Sequence, residues 1–154
     1  SGITPKIVEF VERNQGRVRL SISLHSSIEE KRSELVPINK KYSLKELIQT
    51  LKDMNPKLSR KITFEYTLIK NQNDSEAEAK GLTRIAKSLG AMVNIIPYNP
   101  IQEMDYETPD EAAIKVFRTM LQQNGVRVTV RATAGRDINA ACGQLRLDRE
   151  NNAN

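Results

Sequence analysis

Two side chains able to do covalent or acid–base chemistry near neutral pH occur once each in this sequence: the thiol of Cys142 and the imidazole of His25. Thiolate is a strong nucleophile and a metal ligand, and histidine titrates closest to neutrality. Together they would suit a nucleophile and its base, although two single residues far apart in sequence form a weak pattern. Hydroxyl and amide groups cluster at two further places, Ser23, Ser26 and Ser27 around His25, and Asn99 between Pro97 and Pro100. Each has a plain structural reading beside the chemical one. A lone cysteine is often a small buried residue. His25 could be a satisfied capping residue, Ser26 and Ser27 could cap the helix that follows, and an Asn before Pro is at home in a turn. No spaced set of Cys and His ligands supports a metal site. A single cysteine cannot form an internal disulfide, so no disulfide-stapled secreted scaffold is implied.

What brings such groups together is an alternation of strands and helices. Hydrophobic spacing and start signals predict helices over residues 4–13, 28–34, 43–53, 75–88 and 109–123. Ser43 with Glu46 and Ser75 with Glu78 fit the capping box, in which each side chain satisfies an orphan backbone N–H. Thr108-Pro109-Asp110-Glu111 offers an N-cap, a proline at the first helical position and an acidic first turn. Gly90 and Gly125 stand where left-handed C-terminal residues belong. Ala113, Val116, Phe117, Met120 and Leu121 form a stripe at helical spacing that reads as core.

Strands are predicted over residues 17–24, 61–69, 91–97 and 126–131. At least one helix separates each from the next, which argues for parallel pairing through crossovers. Within them apolar and polar residues alternate. Val18, Leu20, Ile22 and Leu24 oppose Arg19, Ser21 and Ser23; Ile62, Phe64, Tyr66 and Leu68 oppose Thr63, Glu65 and Thr67; Val126, Val128 and Val130 oppose Arg127, Thr129 and Arg131. One face of the sheet is therefore apolar and suited to helices. The other is polar, so it either lines a cavity or, were the strands antiparallel, faces solvent. Ligands of parallel α/β sheets bind beyond the carboxyl ends of the strands. His25, the hydroxyl cluster, Asn99 and Cys142 all follow predicted strands.

The chain has 154 residues, 38% hydrophobic and 5% aromatic with no Trp, enough for one domain with an aliphatic core. No stretch approaches the roughly 18 apolar residues of a membrane span, and the first residues lack a signal-peptide pattern. The expected setting is soluble and cytoplasmic. Lys and Arg number 24 against 19 Asp and Glu, a net charge of +5. That excess is compatible with nucleic acid and equally with an ordinary basic surface.

The strand-end segments also carry a family pattern. Ser21-Ile22-Ser23-Leu24-His25 is followed by Glu34-Leu35-Val36-Pro37-Ile38-Asn39-Lys40-Lys41-Tyr42. Next come Phe64-Glu65-Tyr66, Asn73-Asp74, Asn94-Ile95-Ile96-Pro97-Tyr98-Asn99-Pro100, then Asp137-Ile138 and Ala140 to Leu145. In that order they resemble the dual-specificity RNA adenine-C2 methyltransferases of the radical S-adenosylmethionine family, over nearly the whole chain. The related antibiotic-resistance methyltransferases share several of these motifs; Glu65 and the Pro-Tyr-Asn-Pro context look more like the housekeeping enzyme.

The resemblance implies an α/β fold, the C-terminal half of a radical S-adenosylmethionine partial (βα)6 barrel with a mainly parallel sheet and helices on one face. Residues 1–148 would form that part of the core domain and 149–154 a flexible tail. It implies that Cys142 is methylated by one S-adenosylmethionine, while a second is cleaved at a 4Fe–4S cluster. The resulting radical abstracts hydrogen from the S-methyl group, and the carbon radical adds to carbon 2 of adenine in 23S rRNA or tRNA. A second cysteine then helps release the product. Ser23, Leu24, His25 and Asn99 would contact S-adenosylmethionine. Partners would be 23S rRNA and tRNA, the N-terminal half of the same protein and an electron donor such as flavodoxin, with no membrane.

The chain departs from the family pattern in what it lacks: the three-cysteine motif whose thiolates hold such a cluster, the second cysteine, the glycine-rich cofactor loop and the RNA-binding domain. Ala134 stands where the family usually has Arg, and Asn139 where it usually has Asp. Ser1-Gly2 resembles the tail of a strand motif, so the chain is expected to be a fragment whose open sheet edge invites self-association. Two other classes remain open, a non-catalytic RNA-binding α/β module and a lone α/β enzyme that uses Cys142 and His25 directly. The fragment reading predicts that this chain alone shows neither cluster incorporation nor methyl transfer to RNA; iron analysis and a radiolabel transfer assay check it, and activity of the isolated chain would overturn it.

Overall fold

The computed structural model describes residues 2–132. Among them, β1 (Ser21–Ser23), β2 (Thr63–Leu68), β3 (Met92–Pro97) and β4 (Val128–Val130) make one sheet in the order β1-β2-β3-β4. All three pairings are parallel. The two outer strands are shorter than their alternation suggested, since only the residues that meet a partner strand enter the ladder. α1 (Thr4–Arg13) precedes the sheet. α2 (Glu29–Leu35), a 3-10 turn (Pro37–Lys40) and α3 (Leu44–Met54) connect β1 to β2; α4 (Glu76–Leu89) connects β2 to β3; α5 (Glu111–Gln123) connects β3 to β4. Successive strands lie side by side without a reversal, so crossovers of one hand place their helices on one face. The contacts of α1 with α3, α3 with α4 and α4 with α5 trace that layer. A four-stranded parallel sheet covered on one side is the expected piece of a partial barrel.

The core lies between sheet and helices. Leu20, Ile22 and Leu24, then Ile62, Phe64, Tyr66 and Leu68, then Val93 and Ile95, supply the sheet side, all buried. They meet Ile7 and Val11 of α1, Leu44, Leu47, Leu51 and Met54 around α3, Ala79, Leu82, Ala86 and Leu89 of α4, and Phe117 and Leu121 of α5. Period two on the strands and period 3.6 on the helices thus meet at one surface. A second, smaller cluster joins Leu35, Val36, Ile69, Ile96 and Tyr98. Ile96 shares a face with Asn94, two residues before it on the same strand, so this cluster sits on the other side of the sheet, at its carboxyl end.

The helix starts differ in detail from the sequence signals. Ser43 and Ser75 accept from the backbone N–H groups of Glu46 and Glu78 as expected. Neither glutamate completes the reciprocal half of the box: Glu46 accepts from Thr4 Oγ1 and Glu78 from Ser26 and Ser27. The cap of α5 is Asp110, which accepts from the Ala113 N–H, while the Thr108 hydroxyl donates to the Tyr98 carbonyl instead. Gly90 closes α4 in the left-handed conformation at φ 60°; Gly125, also left-handed, stands one residue beyond the α5 cap Asn124. The α5 stripe is narrower than its spacing implied, for Val116 is 59% exposed whereas Phe117 and Leu121 are buried. A helix lying at the side of the sheet has neighbours over a smaller arc than one in the middle.

Truncation separates these two neighbours. Phe117→Ala is expected to cost about 3–5 kcal/mol, and Val116→Ala to stay within about 0.5 kcal/mol of the parent, read by urea denaturation of the two variants.

Candidate functional site

At the end of β1 the backbone leaves the ladder. The Leu24 N–H still donates to the Glu65 carbonyl, and the Leu24 side chain is fully buried in the main core, so any contact from Leu24 to a ligand comes from its main chain. The next residue, His25, has φ 61°, a left-handed conformation that a side chain bearing a Cβ rarely adopts. Its neighbours hold it there. Nδ1 accepts from the Thr67 N–H at 3.0 Å, and the His25 carbonyl accepts from Asn73 Nδ2 at 2.8 Å. Asn73 also donates to the Thr67 carbonyl and accepts from the Ile69 N–H at 2.7 Å, while the Tyr66 hydroxyl donates to the Asn73 carbonyl at 2.7 Å. Because Nδ1 is an acceptor, the neutral ring carries its proton on Nε2. Burial and the nearby charge of Arg32 push the imidazole pKa down to about 3. His25 is a neutral, oriented N–H donor.

Arg32, fully buried on α2, fastens the same strand end. Its Nε donates to the Leu24 carbonyl at 3.0 Å, Nη2 to the Ser23 carbonyl at 3.2 Å and Nη1 to Asn39 Oδ1 at 2.6 Å. Asn39 donates in turn to Glu29, whose Oε1 also accepts from the Leu44 N–H at 3.0 Å. Burial lowers the guanidinium pKa to about 10, against the opposing pull of Glu29. A buried cation is tolerable only with donors so fully engaged.

Ser26 and Ser27 do not cap α2, whose N-cap is Ile28 without a side-chain bond. They bind Glu78 of α4. Ser26 Oγ donates to one carboxylate oxygen while accepting from the Ile28 N–H. The Ser27 N–H and hydroxyl both reach the other oxygen, at 2.7 Å and 2.8 Å. Tyr66, its pKa raised well above the ordinary value by burial and by Glu78, completes the group. One turn on, Gly81 leaves room for Ser27: a Cβ there would lie 2.3 Å from its hydroxyl oxygen.

On the polar face, Ser23, Glu65, Asn94 and Thr129 stand in register across all four strands. Thr129 Oγ1 donates to Asn94 Oδ1 at 3.0 Å, and Asn94 Nδ2 donates to Glu65 Oε2 at 2.8 Å. Asn99 stands two residues beyond the end of β3 and is half-buried, like Ser23. The structure therefore brings Ser23, Leu24, His25 and Asn99 to one end of the sheet, with β2 between the segments that carry them. Cys142, the segment around it and the expected tail from 149 to 154 lie outside the described residues. Sequence reasoning missed Arg32 and the structural roles of Asn73 and of the Glu78 carboxylate. For Arg32 a signal existed, since it precedes Leu35 by three on the buried face of α2.

Among the described residues no cluster of three His, Cys, Asp or Glu could hold a metal ion, and no helix is long and apolar enough to cross a membrane.

No protein-family model matches the chain. It is similar to a protein of Clostridioides difficile (strain 630) named probable dual-specificity RNA methyltransferase RlmN, 43% identical over 145 residues, which cover 94% of this chain and 42% of that protein. A protein of the same name from Dictyoglomus turgidum is 46% identical over 94% of this chain and 41% of its own length. The chain thus spans less than half the length of these curated relatives. Among solved structures, a radical SAM methyltransferase from Sphaerobacter thermophilus superposes with a TM-score of 0.78 at 39% identity, covering 89% of this chain and 41% of that one. A domain of pyruvate-formate lyase-activating enzyme from Bacteroides vulgatus shares the fold, with a TM-score of 0.62 at 16% identity over 82% of this chain and 74% of its own.

The depressed pKa of His25 has a consequence for stability. An unfolded histidine binds a proton near pH 6.5, whereas the folded one stays neutral to about pH 3. Protons therefore favour the unfolded chain between these values, and this contribution is complete above the upper one and is lost as pH falls. Between about pH 7 and about pH 5 the parent should lose more stability than His25→Asn; denaturation curves with parallel pH dependence would contradict this.

Proposed function

We propose that this chain is the carboxyl-terminal portion of a radical S-adenosylmethionine methyltransferase that modifies carbon 2 of adenine in 23S rRNA and tRNA. The observation that carries this reading is its similarity, over nearly its whole length, to proteins named as RNA methyltransferases. The fold agrees, with a polar sheet face and polar strand ends available for a nucleoside. In this reading residues 1–148 belong to the core domain, and its partners are the two RNAs, the N-terminal half of the same protein and an electron donor such as flavodoxin, in the cytoplasm. Nothing observed favours a non-catalytic RNA-binding module.

S-adenosylmethionine supplies an electrophilic methyl group and, with a reduced 4Fe–4S cluster, an adenosyl radical. The chain's residues fit the first of these groups. Ser23 offers a hydroxyl, His25 a neutral N–H whose orientation Thr67 and Asn73 fix, and Asn99 an amide, all at one end of the sheet. The Thr67 hydroxyl beside His25 is buried with no hydrogen-bond partner among the described residues, which suits a site completed by a polar ligand. His25 acts here by donating a hydrogen bond. With its proton affinity so depressed it is a poor base at neutral pH. The residues do not fit the cluster, which needs several thiolates where the sequence has Cys142 alone; its ligands belong to another part of the protein.

Cys142 is assigned the methyl-carrier role, as a thiolate that accepts the methyl group and becomes a thioether. In the full-length protein Cys142→Ala is expected to abolish methylation of RNA adenine while leaving S-adenosylmethionine binding intact. Mass spectrometry of nucleosides from treated RNA gives the readout, and retained methylation would refute the assignment.

A further inference from the structure

We propose that the Thr129–Asn94–Glu65 ladder is a reader of the Watson–Crick edge of a 6-aminopurine, with Glu65 accepting from the exocyclic amino group and Asn94 donating to ring N1. The inference rests on the methyltransferase reading and adds to it the residues that recognise an adenine.

An ionised carboxylate only accepts hydrogen bonds. The Asn94 amide must therefore turn its nitrogen toward Glu65 Oε2, at 2.8 Å. Its oxygen is then left to accept from the Thr129 hydroxyl, at 3.0 Å. The three groups lie in one rung of the sheet, where strand register places Glu65 beside Asn94 and Asn94 beside Thr129. The ionised carboxylate thus fixes the orientation of the Asn94 amide. Among the described residues no cation forms an ion pair with Glu65, and both it and Asn94 remain half-buried rather than sealed. What the rung still offers a ligand is an acceptor, the second oxygen of Glu65, next to a donor, the second N–H of Asn94.

An acceptor beside a donor matches adenine, whose edge presents an amino donor beside the N1 acceptor. It opposes the 6-oxopurines, which present a carbonyl oxygen to the carboxylate and an N–H to the amide. A mismatch at a desolvated polar site leaves groups unpaired and is rejected strongly.

The test is titration of the isotopically labelled chain with adenosine and with inosine, followed by the side-chain amide resonances of Asn94. Adenosine should bind at least about tenfold more tightly, the discrimination of roughly one good bidentate contact. Glu65→Gln removes the acceptor-only carboxylate that orients the rung, so either its own amino group or the Asn94 oxygen turns to the ligand and the acceptor-beside-donor pair is lost; its preference for adenosine should vanish while its backbone spectrum stays that of the parent. Equal affinity for both nucleosides, no shift at Asn94 with either, or an unchanged preference in Glu65→Gln would overturn the proposal. Parallel titrations with S-adenosylhomocysteine and with an adenine-containing oligoribonucleotide, each against its hypoxanthine counterpart, tell which adenine the rung reads. Absence of discrimination in the unsubstituted chain, with methylation of RNA by the full-length protein, would defeat this inference alone. Discrimination without methyl transfer by the full-length protein would defeat the methyltransferase reading instead.

Discussion

A histidine held in the left-handed backbone region, inside the protein, is the constraint on which the rest of the strand-end architecture depends. Non-glycine residues with positive φ cost on the order of 1–3 kcal/mol and persist only when their surroundings over-determine them. Around His25 every nearby element contributes. β2 gives the Thr67 N–H to Nδ1, and the loop after β2 gives the Asn73 amide to the His25 carbonyl. α2 gives Arg32 to the two carbonyls just before it. α4 gives Glu78 to the two serines just after it. The backbone bend lets the chain turn away from the ladder at once, so that Ser23 ends β1 while His25 remains over β2.

The same arrangement explains how charged side chains come to be buried. Arg32 and Glu78 are respectively 0% and 1% exposed, yet they do not pair with each other. Each instead meets hydrogen-bonding groups of the segment running from Ser23 to Ser27. An unpaired buried charge is costly, and a guanidinium with donors in three directions, or a carboxylate with serine donors on both oxygens, recovers much of that cost. Fixed geometry follows, because removing any one partner leaves a buried polar group unsatisfied. This segment is thus more rigid than its loop position implies.

Much of the fold was legible in the sequence because period-two and period-3.6 patterns act locally. Phe64 and Tyr66 against Thr63 and Glu65 reveal a half-buried strand, and Ser75 and Gly90 bracket a helix. The site was legible only in part. The rule that ligands gather beyond the carboxyl ends of parallel strands singled out the segments of Ser23, His25 and Asn99, which lie at one end of the sheet, and Cys142, which lies outside the described residues. The long-range partners were not legible. Glu46 and Glu78 stand where a capping box places them, but their carboxylates bind Thr4 and Ser26, and nothing in a local window distinguishes the two outcomes. Val116 fails for a related reason: helical spacing says which residues share a face, not how wide an arc the neighbours cover.

The two faces of the sheet carry different kinds of demand, and their separation lets one chain satisfy both. On the helix side, aliphatic and aromatic residues from β1, β2 and β3 pack against α1, α3, α4 and α5, and the buried polar groups of Tyr66 and Glu78 there are hydrogen-bonded to one another and to the strand-end segments. On the other side, Ser23, Glu65, Asn94 and Thr129 stand in a row whose hydrogen bonds run across the strands. A strand interior is a rigid platform for such groups, more so than a loop, because the ladder sets backbone positions on both sides of each residue. Burial of alternate residues against the helices supplies that rigidity, since a slip of one position would bring Glu65 and Asn94 into the core. The hydrophobic pattern that stabilises the sheet is therefore also what aims its polar row.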